Sequence, residues 1–195
     1  NPGDKSVRAL FGDAAAATLM SARDGDEAIG PFVYGTDGSG AQDLIVPNSG
    51  LRNRAVDRPV EEYTDRHGNT RSDHNIYMNG RAVIEFTLRE VPKAIDALCE
   101  KAGVSLDEID AVVPHQASAT VLEGIRKKLD LPPERFVVCM EDIGNTVSCS
   151  IPIAVKRAAA KGQIKPGALL LLVGFGVGLS WGATLVRLPE DFAAA

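Results

Sequence analysis

Apolar positions along this chain change their period several times, and each change marks an element. From Gly80 onward, Ile84, Leu88, Val91, Ile95 and Leu98 recur at steps of three and four, the stripe of one helix face. Pro92 lies inside that stripe and lacks a backbone donor, so it is expected to kink or split the helix; Gly103 is expected to end it. Ile109 to Pro114 then reads as a short buried strand and Ala119 to Leu129 as a second amphipathic helix. Arg135 to Met140 reads as another strand and Ser148 to Lys161 as a third helix. Nearer the start, Val7 to Met20 is expected to contain a strand with Ala28 to Tyr34 as its partner, followed by the turn cluster Gly35 to Gly40. Strands alternating with helices at this spacing predict an α/β fold, a mixed, mostly parallel sheet layered with helices.

Two stretches break the pattern. Between Arg52 and Arg81, 11 of 30 residues are charged and the periodicity is lost, so 52–81 reads as a solvated loop excursion. Ala168 to Val186 is the opposite, 19 residues without a charge, close to the roughly 20 that span a bilayer as a helix. Gly174, Gly176, Gly178 and Gly182 interrupt it, each costing about 1 kcal/mol in a helix. It therefore reads as a buried hairpin, with arms Ala168 to Val173 and Ser180 to Leu188, and not as a membrane span.

Composition narrows the classes. With 45% hydrophobic and 24% charged residues, wholesale disorder is excluded. The net charge is −5 and no stretch is densely basic, which argues against a nucleic-acid partner. Cys99, Cys139 and Cys149 are an odd, scattered set that makes no disulfide framework and reads as reduced thiols in the cytoplasm. The opening Asn1-Pro2-Gly3-Asp4 is polar, unlike a signal peptide, and has no initiator Met, so the natural start is expected upstream.

Three histidines are the first candidates for chemistry. His67 and His74, beside Asp65 and Asp73, match no metal-ligand spacing and read as solvated loop side chains; no metal is assigned. His115 follows Ala111-Val112-Val113-Pro114, where an apolar strand leaves the sheet, the end at which open α/β sheets bind ligands. On the residues alone it fits a hydrogen-bonded structural histidine as well as a catalytic one. Asn145, at the junction Asp142 to Ser148, reads either as an amide aimed into the same crevice or as a helix cap. Gly174-Phe175-Gly176-Val177-Gly178 could bring backbone N–H groups to a ligand, but Leu179 stands where a dinucleotide fingerprint needs glycine.

Together these junctions resemble the C-terminal half of the β-ketoacyl-acyl carrier protein synthase III family, within the thiolase fold. The resemblance is carried by Pro114-His115-Gln116-Ala117, by Gly144-Asn145-Thr146 with Ile151-Pro152, and by Gly174 to Gly182; the interval of thirty residues from His115 to Asn145 fits as well. Phe11-Gly12-Asp13, Asp37-Gly38-Ser39-Gly40 and Met78-Asn79-Gly80 extend it over residues 1–195. The resemblance implies a cytoplasmic, homodimeric transferase of fatty-acid or related biosynthesis. A cysteine takes an acyl group from acyl-CoA, and the acyl-enzyme condenses with malonyl-acyl carrier protein as carbon dioxide leaves. Coenzyme A thioester is then a substrate, and no tightly bound cofactor is implied.

By matching position, the resemblance implies His115 and Asn145 as catalytic donors to the thioester oxygen and Val177 as a backbone oxyanion donor. It implies Gly80, Ile84 and Ser118 at the coenzyme A passage, and Gln116, Ala117, Ser118, Ala119 and Thr120 at a carrier-protein contact; with no Arg at 120, the contact is expected to shift to the nearest basic cluster, Arg126 and Lys127 with Lys128 on the following helix. It places the nucleophilic cysteine in a preceding half, so 1–195 reads as a half-site expected to be inactive in condensation alone, and Cys149 as a packed free thiol. Val177 where the family has glycine, Ser118 and Thr120 where it has Asn and Arg, and Ile84 where it has an aromatic are departures bearing on acyl chain and acceptor. An acyltransferase forming esters or amides in secondary metabolism, or a non-catalytic half-domain, are the other readings.

Overall fold

The computed structural model describes residues 1–22, 25, 27–51 and 53–192. Its centre is a four-stranded sheet of β1 (Ile29–Thr36), β6 (Ala111–Pro114), β7 (Leu169–Gly176) and β8 (Ser180–Arg187), ordered β1-β8-β7-β6. Short ladders join β2 (Leu44–Ile45) to β5 (Tyr77–Met78) and β3 (Tyr63–Thr64) to β4 (Thr70–Arg71). The uncharged stretch forms the expected hairpin of β7 and β8, paired from Leu169↔Arg187 to Gly176↔Ser180. Residues alternate between the two faces of a strand, and β6 shows it: Val112 joins one core cluster, Ala111 and Val113 the other.

Helices α1 (Gly80–Ala102) and α2 (Ala119–Lys128) cover one face, where Val91, Ile95 and Leu98 meet Val121, Leu122 and Ile125 over Val112, Leu171 and Val173. Each fully buried aliphatic side chain there contributes roughly 1.5–3 kcal/mol. Helix α3 (Ser150–Ala160) covers the other face through Ala154 and Ala158.

Several expectations are corrected. The sheet is mixed, but only β6–β7 is a parallel ladder; β1–β8 and β7–β8 are antiparallel. A connection as tight as Val177 to Leu179 can join only antiparallel neighbours, and β1 then adds to the free edge of β8. Between Val7 and Met20 no strand forms: Phe11 makes one isolated bridge and Ala14 to Met20 are exposed. Four consecutive alanines offer little area to a sheet neighbour. The strand Ile29–Thr36 is real, but its partner is β8.

Helix α1 runs unbroken through Pro92. The proline leaves the Leu88 carbonyl without its usual i+4 donor, and Lys128 Nζ from α2 donates to that oxygen at 2.8 Å. Gly103 caps the helix in the left-handed region, φ 67°, as expected. Residues 54–64 and 66–68 are exposed, as their charge suggests, whereas most of 69–80 is half-buried or buried; Arg52 lies outside the described residues. Asn69 and Ser72 are buried, and Arg71 pairs with Asp65 at 3.0 Å and Asp4 at 3.6 Å.

Candidate active site

The site is built where two loops leave the sheet. His115 N–H donates to the Val173 carbonyl at 2.8 Å, continuing the β6–β7 bonding one residue past the end of β6. Gln116 follows, fully buried, and its amide replaces the strand expected at 135–140. Its Nε2 donates to Pro114 O at 2.8 Å and to Val137 O at 3.1 Å, and its Oε1 accepts from Cys139 N–H at 2.8 Å. Backbone pairing in that segment reduces to one bridge, Val112 with Phe136, and one Val137 N–H bond to Val112 O. Side-chain bonds satisfy the groups that a ladder would have used.

Asn145 is held from the other side by the Phe11-Gly12 segment. Its N–H donates to Leu10 O at 2.8 Å and its carbonyl accepts from Gly12 N–H at 3.0 Å. Both glycines are required by this approach. A Cβ on Gly12 would lie 1.9 Å from Ile143 O, and Gly144 has φ +64° with a would-be Cβ 2.8 Å from Leu10 O.

Side chains then stitch the loops together. Asn145 Nδ2 donates to Ala117 O at 3.3 Å and its Oδ1 accepts from Val147 N–H at 2.9 Å. His115 Nδ1 lies 2.7 Å from Ser150 Oγ, which also accepts from Gln116 N–H at 3.2 Å and donates to Val147 O at 2.7 Å. Val147 takes φ 54°, a strained value for a β-branched residue. The Phe175 ring meets the imidazole edge-on, centroids 5.4 Å apart. Burial pushes His115 down from 6.5 to about 4, opposed by a hydrogen bond to the Val147 backbone. Near neutral pH the imidazole is uncharged.

The structure thus brings His115 and Asn145 into one hydrogen-bonded unit. Val177 stands at the hairpin tip, 65% exposed, two residues beyond Phe175. Gly80 opens α1, and Ile84 packs against the core. Ser118 caps α2, accepting from Val121 N–H at 3.3 Å, and Ala119 and Thr120 are exposed. Gln116 is corrected: with no exposure and every amide group turned inward, it cannot touch a carrier protein. Arg126 and Lys127 both pair with Glu123, and Arg126 also donates to Leu131 O, which leaves little free charge there. They sit toward the far end of a ten-residue helix from Ser118, about 12–14 Å along its axis.

Cys99 and Cys139 are both pushed up by burial, away from the thiolate. Cys149 Sγ–H donates to Ala14 O at 3.3 Å. Among the described residues no group of three or more His, Cys, Asp and Glu could hold a metal, and no helix is long and apolar enough to cross a membrane. Sequence reasoning missed Ser150 and the Phe175 ring. A serine inside an expected helix carries no signal until the helix start is known to face the end of β6.

Residues 99–188 match the family described as 3-oxoacyl-[acyl-carrier-protein] synthase III C terminal. The chain is 33% identical over 185 residues to a β-ketoacyl-[acyl-carrier-protein] synthase III of Clostridium perfringens, covering 95% of this chain and 54% of that protein. A crystal structure of a 3-oxoacyl-(acyl-carrier-protein) synthase III superposes with TM-score 0.86 at 43% identity, covering 96% of this chain and 56% of the other. The priming β-ketosynthase of the R1128 polyketide pathway superposes with TM-score 0.75 at 28% identity, covering 97% and 53%. The chain spans about half the length of the curated relatives it matches. With its thiolase-like fold, the chain carries over residues 99–188 the C-terminal domain of the 3-oxoacyl-[acyl-carrier-protein] synthase III family.

Proposed function

We propose that these residues supply the His and Asn of a condensing acyltransferase, which joins the acyl group of an acyl-CoA to malonyl-acyl carrier protein as carbon dioxide leaves. The observation that carries this reading is the stitched pair. A neutral imidazole and a primary amide are fixed on two loops at one end of the sheet, joined through Ala117, Val147 and Ser150. Such rigidity is what stabilising a developing oxyanion requires, because donors already in place need no reorganisation as charge appears. Asn145 spends one amide N–H on Ala117 O and has a second for a thioester oxygen. Neutral His115 is suited to take the proton of a thiol nucleophile.

The thiol comes from outside these 195 residues, a reading supported by the raised Cys99 and Cys139 and by the bond from Cys149 to Ala14 O. Three free cysteines support a reducing, cytoplasmic setting. Acyl-CoA, acyl carrier protein and a second copy of the protein as partners rest on the family resemblance. The carrier contact moves to Ala119, Thr120 and the exposed surface around them, supported by the buried Gln116 and the Glu123-paired Arg126 and Lys127. Ester or amide formation on another acceptor is the second reading, favoured by the departures at Ser118, Thr120 and Ile84. The test is product analysis of the full-length protein with labelled acyl-CoA and malonyl-carrier protein. A 3-oxoacyl product with loss of carbon dioxide supports condensation; an ester or amide with the malonyl carboxylate intact refutes it.

A further inference from the structure

Gln116 lies on the chain between His115 and Ala117, and its side-chain amide ties that loop to the one leading to Asn145. Nε2 donates to Pro114 O at 2.8 Å and to Val137 O at 3.1 Å, and Oε1 accepts from Cys139 N–H at 2.8 Å. A primary amide donates only from nitrogen and accepts only at oxygen. Turned over, it would set its oxygen against two carbonyls and its NH2 against an N–H, so one orientation alone satisfies the three partners. The side chain is fully buried, and bulk water cannot replace any of these bonds. On one side, Ala117 follows Gln116 and its carbonyl accepts from Asn145 Nδ2 at 3.3 Å. On the other, Cys139 leads into Met140, whose carbonyl accepts from Gly144 N–H at 2.8 Å just before Asn145.

We propose that Gln116 is a positioning residue for Asn145: its amide sets the spacing of the two loops and so aims the second Asn145 amide N–H at the thioester oxygen. The inference rests on the condensing reading of His115 and Asn145. The two residues depend on Gln116 to different degrees. His115 is held without that amide, by its own N–H on Val173 O and by its ring on Ser150 Oγ. The Asn145 side chain has two bonds, one local, from Val147 N–H to Oδ1, and one across to Ala117 O. Only the second reaches the other loop, and at 3.3 Å it is already long for an N–H···O bond. A small shift of Ala117 therefore releases the amide. Loss of the Gln116 amide disturbs the step that needs Asn145, departure of carbon dioxide, more than acyl transfer to the thiol.

The experiment measures the two half-reactions of the full-length protein separately. Acyl-enzyme formed from an acyl-CoA, read by intact-mass spectrometry, counts the competent sites, and carbon dioxide release from malonyl-carrier protein is expressed per site. Gln116→Met keeps an unbranched side chain without the amide. It should acylate at the wild-type rate per site and lose roughly 10- to 100-fold in kcat for carbon dioxide release, the scale of the hydrogen bonds removed, with KM little changed. A merely structural role would lower both half-reactions alike. Gln116→Glu is the conservative variant: as the acid it accepts from Cys139 N–H and donates to one carbonyl, whereas the carboxylate has no proton to give. Its release relative to wild type should rise as pH falls from 9 to 6 while relative acylation stays flat, and it carries the test alone where Gln116→Met does not fold. Wild-type release in Gln116→Met, equal losses in both half-reactions, or a flat relative release in Gln116→Glu overturns the inference. A failure of the condensing reading shows separately, as wild-type protein that acylates and releases no carbon dioxide.

Discussion

At the residue scale, the site combines strain with burial, and both can be measured. Val147 sits at φ 54° with a branched Cβ, a conformation that its bonds to Asn145 and Ser150 maintain. Val147→Gly should raise stability by about 1 kcal/mol in urea titration, because glycine enters this region freely; a loss of stability would show that the backbone is not strained. Burial of His115 gives a second test. Its folded value of about 4 lies below the ordinary 6.5, so the unfolded chain binds more protons between those limits. The contribution is intact above pH 6.5 and is lost as pH falls toward about 4, with a slope of at most about 1.4 kcal/mol per unit. His115→Gln should flatten that part of the stability profile relative to wild type; parallel profiles would contradict the burial. Both candidate residues stand out in the sequence because each ends an apolar run or follows a glycine. Ser150 does not, since its contact with His115 exists only once the start of α3 faces the end of β6.

At the element scale, helices were more legible than strand order. The stripe from Ile84 to Leu98 needs only local spacing, and it marks α1 correctly. Strand direction depends on connections and edges, so the expected parallel majority failed once β1 joined β8. The strand expected at 135–140 failed because Gln116 takes bonds that a neighbouring ladder would have supplied. Pro92 was expected to break α1, and the answer came from another element, since Lys128 covers the exposed Leu88 carbonyl. That bond should appear in a double-mutant cycle. Lys128→Met should cost about 1 kcal/mol in wild type and much less in Pro92→Ala, where residue 92 regains its own N–H for Leu88. Equal costs in both backgrounds would separate the lysine from the proline.

On the scale of the whole molecule, three distant segments make one site: Leu10 to Gly12, His115 to Ala117, and Gly144 to Ser150. The apolar hairpin of β7 and β8 fixes where β6 ends, and the glycines at 12 and 144 let the first segment close on the last. The motifs spread over the chain are thus one physical unit, which is why the family resemblance was legible from residues far apart in sequence. The central claim is that Asn145 stabilises the negative charge left when a malonyl thioester loses carbon dioxide. Release of carbon dioxide from malonyl-carrier protein by the full-length protein, compared between wild type and Asn145→Ala, tests it most directly. The account predicts a fall of roughly 10²- to 10³-fold, as for removal of one oxyanion donor, with the fold unchanged by circular dichroism. Release at the wild-type rate from Asn145→Ala would contradict it.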